Sequence, residues 1–183
     1  MNLIEPWLPF PILDHEKSKP GKRQKGDIMR ALALLQVPTN PRYTPRDLNK
    51  DGKQDTFCNI LTWDFCRAMG LETPPHWVSP EGGVAPVGKG RELSANGQVE
   101  WLHDHGYDWG WTPCTETEAR AKATYEEQPV LAVWNHHGGI GHVAVVVPGV
   151  DYTHIAQAGA RNFVDEPLSH GFGRIKPEFW WHD

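Results

Sequence analysis

The sequence predicts an α+β domain in which helices come first and an antiparallel sheet follows. Three observations predict it. Phe57, Ile60, Leu61, Phe65, Ala68 and Met69 recur at helical spacing and give residues 57–69 one apolar face. Thr115 and Glu118 stand at capping-box spacing and open a second helix over residues 115–127. Beyond residue 128 the pattern changes: PVLAVWN (129–135), GHVAVVV (141–147) and THIAQAG (153–159) are β-rich runs separated by turn residues.

The other elements follow in chain order. Residues 1–25 read as an extended arm that Trp7 and Phe10 anchor, with a solvated basic cluster at Lys17, Lys19, Lys22, Arg23 and Lys25. Residues 26–36 read as a short helix ended before Pro38, and residues 37–55 as a polar loop. Gly70, Pro74 and Pro75 stop the helix of residues 57–69, and Asp55 or Thr56 stands where it can cap the start. Residues 71–93 are an irregular Pro- and Gly-rich segment of the kind that carries binding surfaces. Ser94 is the expected N-cap of a helix over residues 94–105. A chain of 183 residues is long enough for one sizeable core, so residues 26–183 form a single expected domain after the arm.

Composition narrows the function classes. A formal net charge of −5 argues against nucleic acid as a partner. No stretch is long and apolar enough for a membrane span. The start, MNLIEPWLPFPIL, lacks the basic-then-apolar order of a signal peptide, so synthesis in the cytoplasm without one is expected. Three cysteines, an odd and sparse set, do not make a disulfide framework.

The chemistry centres on Cys58. It falls in the first turn of a helix, where unpaired N–H groups and the dipole favour thiolate. The alternative is a thiol that packs as a small hydrophobe, the reading given to Cys66. A nucleophilic thiol needs a base, and His142, at the head of a strand beside the glycines of HHGGIGH, is the best placed of ten histidines. His136 and His137 fall in the preceding turn. Zinc at this cluster lacks a paired Cys or Glu ligand at metal-site spacing. With Val147 and Tyr152 flanking a PGVD turn, hairpin pairing places His142 opposite Gln157, whose amide can orient the imidazole. Asn162 and His154 are the substitutes. Immediately before the thiol, Asp47, Asn49, Asp51 and Asp55 occupy positions one, three, five and nine of a calcium-type loop. Gly52 stands at six, and Lys53 at seven offers its carbonyl. Position twelve is Cys58 itself. An Asx-rich turn without metal is the other reading.

These residues resemble the papain-like cell-wall hydrolases, a group that includes CHAP and NlpC-type domains. The resemblance covers about residues 45–182. It rests on Cys58–Asn59 in the helix, GHVAVV at 141–146 and IAQAGARNF at 155–163. It implies a papain-like fold with the cysteine helix packed on the C-terminal sheet. It also implies Cys58 as nucleophile, His142 as base and Gln157 as the third polar residue, acting on an amide of bacterial peptidoglycan. Some CHAP endolysins carry a calcium loop before the cysteine, which matches residues 47–55. Asn59 stands where many NlpC-type domains have Ser or Gly, and Gln157 where others have His, Glu or Asn. The implied setting is a phage endolysin released by a holin, or a secreted antibacterial effector with an immunity protein as partner. Tryptophans in expected loops (Trp77, Trp109, Trp111, Trp134) are candidates to line a substrate groove. Two other classes stay open: a thiol acyltransferase or deamidating toxin on the same scaffold, and a non-catalytic, calcium-stabilised binding module.

Overall fold

The fold is α+β with an antiparallel sheet, as expected, but helices and strands are less cleanly divided along the chain. The computed structural model describes residues 5–183, so the first four residues of the arm and of the opening stretch lie outside it. Among the described residues there are five α-helices, a six-stranded antiparallel sheet and a two-stranded ribbon. In chain order these are α1 (Asp27–Leu35), α2 (Cys58–Ala68), β1 (Trp77–Val78), β2 (Arg91–Glu92), α3 (Ala95–His105), β3 (Trp111–Cys114), α4 (Glu116–Tyr125), β4 (Val130–Trp134), β5 (His142–Val147), β6 (His154–Ala158), β7 (Asn162–Pro167), α5 (Leu168–Phe172) and β8 (Glu178–His182). The sheet order is β3-β8-β4-β5-β6-β7. Strand β3 joins this sheet from before α4, and α5 lies between β7 and β8. Strands β1 and β2 form the ribbon, inside the segment read as irregular.

Local chemistry explains where the helices start. Ser94 accepts from the Gly97 N–H, and Thr115 and Glu118 form the full capping box. Helix α2 is different. Its N-cap is Phe57, with no side-chain cap, so neither Asp55 nor Thr56 caps it. Asp55 instead pairs backbone to backbone with Arg46 and accepts the Leu48 N–H on its carboxylate, which turns it into the preceding loop.

Strand β5 lies at the centre of the sheet and is buried on both faces from Val143 to Val147. Helices α2, α3 and α4 all pack on it. Helix α4 does so through Ala119 and Ala123, one turn apart. Strand β3 contains Pro113, which a sheet edge tolerates because no ladder donor is needed on the open side.

The arm is not free in solvent. Phe10 joins the core, the Arg67 guanidinium donates to the Phe10 carbonyl, and the Ser18 N–H donates to the Ala68 carbonyl. Where the arm crosses the end of α2, a Cβ on Gly70 would lie 2.3 Å from the Ser18 carbonyl oxygen, and Gly70 has φ +79°. Only glycine satisfies both demands. Within the basic cluster the lysines at 19, 22 and 25 are exposed, whereas Arg23 turns inward to Gln128 and the Asp183 carbonyl.

Candidate active site

The hairpin that carries His142 differs from its expected register. Val147 pairs with His154 across a loop of residues 148–153, and Val145 pairs with Ala156. Continued along the strands, that register sets His142 opposite Gly159, two residues from the expected partner. A shift of two preserves the side-chain face. Gln157 therefore still reaches the imidazole, diagonally rather than directly across, with its Oε1 2.7 Å from His142 Nε2. A Cβ on Gly159 would crowd the Gln157 amide, at 3.2 Å from Nε2, and meet the His142 ring only at ordinary contact distance. The substitutes point elsewhere. Asn162 donates to the Tyr43 carbonyl, and His154 pairs with Asp165.

The hydrogen bonds set the tautomer. Gln157 Nε2 donates to the Arg161 carbonyl at 3.0 Å, so Oε1 is the atom turned to the ring. A carboxamide oxygen only accepts, which puts the proton on His142 Nε2 and leaves Nδ1 as the acceptor in the neutral ring. Phe172 covers the ring at 4.9 Å between centroids. Gly171 in the same short helix gives the amide its space; a Cβ there would sit 2.6 Å from Gln157 Oε1.

Cys58 is 3% exposed and lies against β5, with the backbone N–H of Val143, the residue after His142, on its sulfur. The sequence led us to expect a thiol lowered by the helix start. Burial instead raises it; the N–H groups of Val143, Asn59 and Cys58 itself pull back but do not win. His142 moves the other way. Burial lowers it, and the Gln157 hydrogen bond offsets only part of that. Both shifts favour the uncharged forms, a neutral thiol on Cys58 and a neutral imidazole on His142. Cys66 is fully buried with its thiol pushed up, and Cys114 is pushed up to about 11 by burial first and Glu118 second.

The uncapped start of α2 is held by polar side chains that periodicity does not single out. Asn59 Nδ2 donates to the Leu93 carbonyl, and Gln98 Nε2 donates to the Asn59 carbonyl. The Thr62 hydroxyl lies within reach of the Cys58 and Asn59 carbonyls and Gln98 Oε1. Thr62 and Gln98 are fully buried. The only sequence signal for them is a polar residue at a core position of an otherwise apolar helix face. Asn96 fixes the β4–β5 loop through His136 N–H and the carbonyls of His136 and Gly139. A Cβ on Gly141 would meet Asn96 Oδ1 at 2.0 Å, so this glycine of HHGGIGH serves the close approach.

Cys58 opens on a cleft of about 570 Å³ lined by Gln54, Asp55, Asn59, Glu92 and Ile140 among others. His76, fully buried, lies 3.1 Å from Glu92 and holds that carboxyl below its ordinary value. The contact has ion-pair distance but is not aligned as a hydrogen bond, because both His76 ring nitrogens lack a well-placed partner among the described residues. Of the four loop tryptophans, Trp111 is fully buried core and Trp134 ends β4; Trp77 and Trp109 stay outside the cleft lining.

Residues 47–55 fold as a tight loop on their own oxygens. Asp47 accepts from the N–H groups of Asp51 and Gly52, Asn49 from Asp51, and Asp51 from Lys53. Among the described residues no three His, Cys, Asp or Glu side chains converge as a metal-holding group. No helix among the described residues is long and apolar enough to cross a membrane. No family model matches the chain, and a search among curated proteins finds no significant match.

Gln157→Ala is expected to lower kcat by on the order of 10²-fold, the scale of a misplaced catalytic group. The Gln157 hydrogen bond raises His142, so its loss shifts the acid limb of the pH–rate profile to lower pH. Gln157→Glu restores a partner but moves that limb up, because a carboxylate favours imidazolium. A profile that stays in place in both variants removes Gln157 from the site.

Proposed function

We propose that this chain is a thiol-dependent peptidoglycan hydrolase, endolysin-like, built on a papain-like arrangement of a cysteine helix against a sheet. One observation carries the reading: His142 Nε2 donates to Gln157 Oε1, while Cys58 sits against the amide of the residue that follows His142. A buried thiol, a tautomer-fixed imidazole and an orienting amide are the parts that amide attack requires. The Cys58 sulfur adds to the carbonyl carbon of the substrate amide as its proton passes to His142 Nδ1. That proton then goes to the leaving amine, and water releases the acyl group from sulfur. The Cys58 backbone N–H is one donor to the oxyanion. For the second we assign Gln54: of the two side-chain amides lining the cleft, Asn59 already donates to Leu93, and Gln54 has no partner among the described residues.

Mass spectrometry of purified cell walls after incubation tests this. The expected products carry one new amine and one new carboxyl at a stem-peptide or muramyl–alanine amide. Transfer to an added amine without hydrolysis would place the chain with acyltransferases instead.

Calcium belongs to the same proposal. Asp47, Asn49, Asp51, the Lys53 carbonyl and Asp55 are hard oxygen donors at alternating positions, and each carboxylate keeps a lone pair beyond its backbone bond. A cation there would fix the loop that leads into the uncapped start of α2. Excess chelator is expected to lower the melting temperature, with calcium but not magnesium restoring it. An unchanged melt removes the metal.

A further inference from the structure

A second cavity, about 250 Å³, adjoins the cleft that Cys58 opens on. Both are lined by Asp55, Thr56, Asn59 and Glu92, so the two cavities lie side by side in one groove region. What distinguishes the second is the N-terminal arm: Pro6 and Trp7 form one wall, with Leu48 beside them. Trp7 and Leu48 are each 40% exposed, a large apolar area left open to solvent.

The arm is held there rigidly. Arg42, 1% exposed, donates to the carbonyls of Glu5, Pro6 and Leu8, and Trp77 Nε1 donates to the Trp7 carbonyl. Four main-chain bonds around one residue are more than an anchor to the core needs, because the Trp7 indole itself is not in the core. They fix the backbone from which an exposed indole lines the cavity next to the Cys58 cleft.

Resting on the peptidoglycan reading above, we propose that the arm supplies a sugar subsite of this groove, in which Trp7 stacks on a pyranose ring of the glycan strand. A flat aromatic surface suits the C–H face of a sugar ring. The carboxylate of Glu92, which lines both cavities, is a planar acceptor that suits ring hydroxyls. The subsite seats the glycan next to Cys58 and so delivers the stem-peptide amide to the nucleophile. Residues 5–8 then belong to the catalytic unit rather than to a detachable extension.

The test is calorimetric titration of the Cys58→Ala protein with chitotetraose, a soluble chain of four N-acetylglucosamine units. One-site binding is expected. In the same background Trp7→Ala is expected to weaken it about tenfold or more, the scale of a lost aromatic stack. Trp7→Phe should retain most of it. Trp109→Ala, equally exposed but outside both cavities, should leave it unchanged. Thermal melts of each variant separate a lost subsite from a lost fold. No binding by the parent, or undiminished binding by a folded Trp7→Ala, overturns the proposal. Binding is read without the nucleophile, so the two readings fail separately. Wall hydrolysis without chitotetraose binding removes the sugar subsite alone; binding without hydrolysis removes the hydrolase alone.

Discussion

Cys58→Ala is expected to abolish wall hydrolysis, with a loss of at least about 10⁴-fold in kcat, because covalent chemistry has no substitute nucleophile at that position. The fold should survive the change. The side chain is small, and a buried thiol packs as a hydrophobe, so its replacement by methyl leaves at most a minor void. Cys66→Ala, two turns along the same helix, should lose stability by a comparable amount yet keep full activity. That contrast separates a catalytic thiol from a structural one, which burial alone does not, because both are buried. Turbidity of purified walls and released amine are the readouts. If Cys58→Ala clears walls at the parent rate, the thiol mechanism is wrong.

The same residue predicts the shape of the pH profile. His142 must be neutral to accept a proton, and burial holds it below its ordinary 6.5, so the acid limb falls below that value. Burial holds the thiol above its ordinary 9.0, so the alkaline limb lies above it. A broad plateau through neutrality follows. A thiolate–imidazolium pair would need the opposite shifts, with the thiol below its ordinary value and the imidazole above its own.

The elements that were legible in the sequence are those whose ends carry their own chemistry. Ser94, and Thr115 with Glu118, mark two helix starts because each cap is a local hydrogen bond. Strands β4, β5 and β6 read clearly as apolar runs between turns. Strands β7 and β8 did not: NFVDEP alternates in and out of an edge position, and EFWWH is short and aromatic, so neighbours rather than composition decide them. The site was legible in its residue types and face, since His142 and Gln157 share one side of the hairpin at either register. Its electrostatics were not. A helix start predicts a lowered thiol, but desolvation depends on how α2 packs against β5, and no local pattern encodes that. The polar support of Cys58 by Thr62 and Gln98 is likewise a contact between two helices, visible only once they meet.

Arg42→Ala is expected to have the largest effect on stability. The guanidinium meets Asp64 through two bonds, Nε to Oδ2 at 2.6 Å and Nη2 to Oδ1 at 3.1 Å, and the Tyr43 hydroxyl donates to the same carboxylate at 2.8 Å. Both charged side chains are almost fully buried. Burial raises the Asp64 carboxyl above its ordinary 3.8 even with Arg42 present. Removing the arginine leaves that charge uncompensated and costs about 3–5 kcal/mol, a drop in melting temperature on the order of 10 °C for a chain of this length. The penalty should depend on pH in a definite direction. An acid whose folded pKa lies above its unfolded one binds more protons when folded, so stability falls as pH rises through that window. The gap between Arg42→Ala and parent should therefore be wide at neutral pH and narrow on acidification, as Asp64 takes up a proton. Adding Asp64→Leu to Arg42→Met should recover much of the loss, since an apolar pair of similar volume removes the stranded charge. It should not recover the arm. The carbonyls of Glu5, Pro6 and Leu8 lose their donor in every Arg42 variant. A double variant that regains its melting temperature but stays weak toward chitotetraose would show that the arginine serves the groove as well as the core. Parent-like binding in that variant would confine Arg42 to stability.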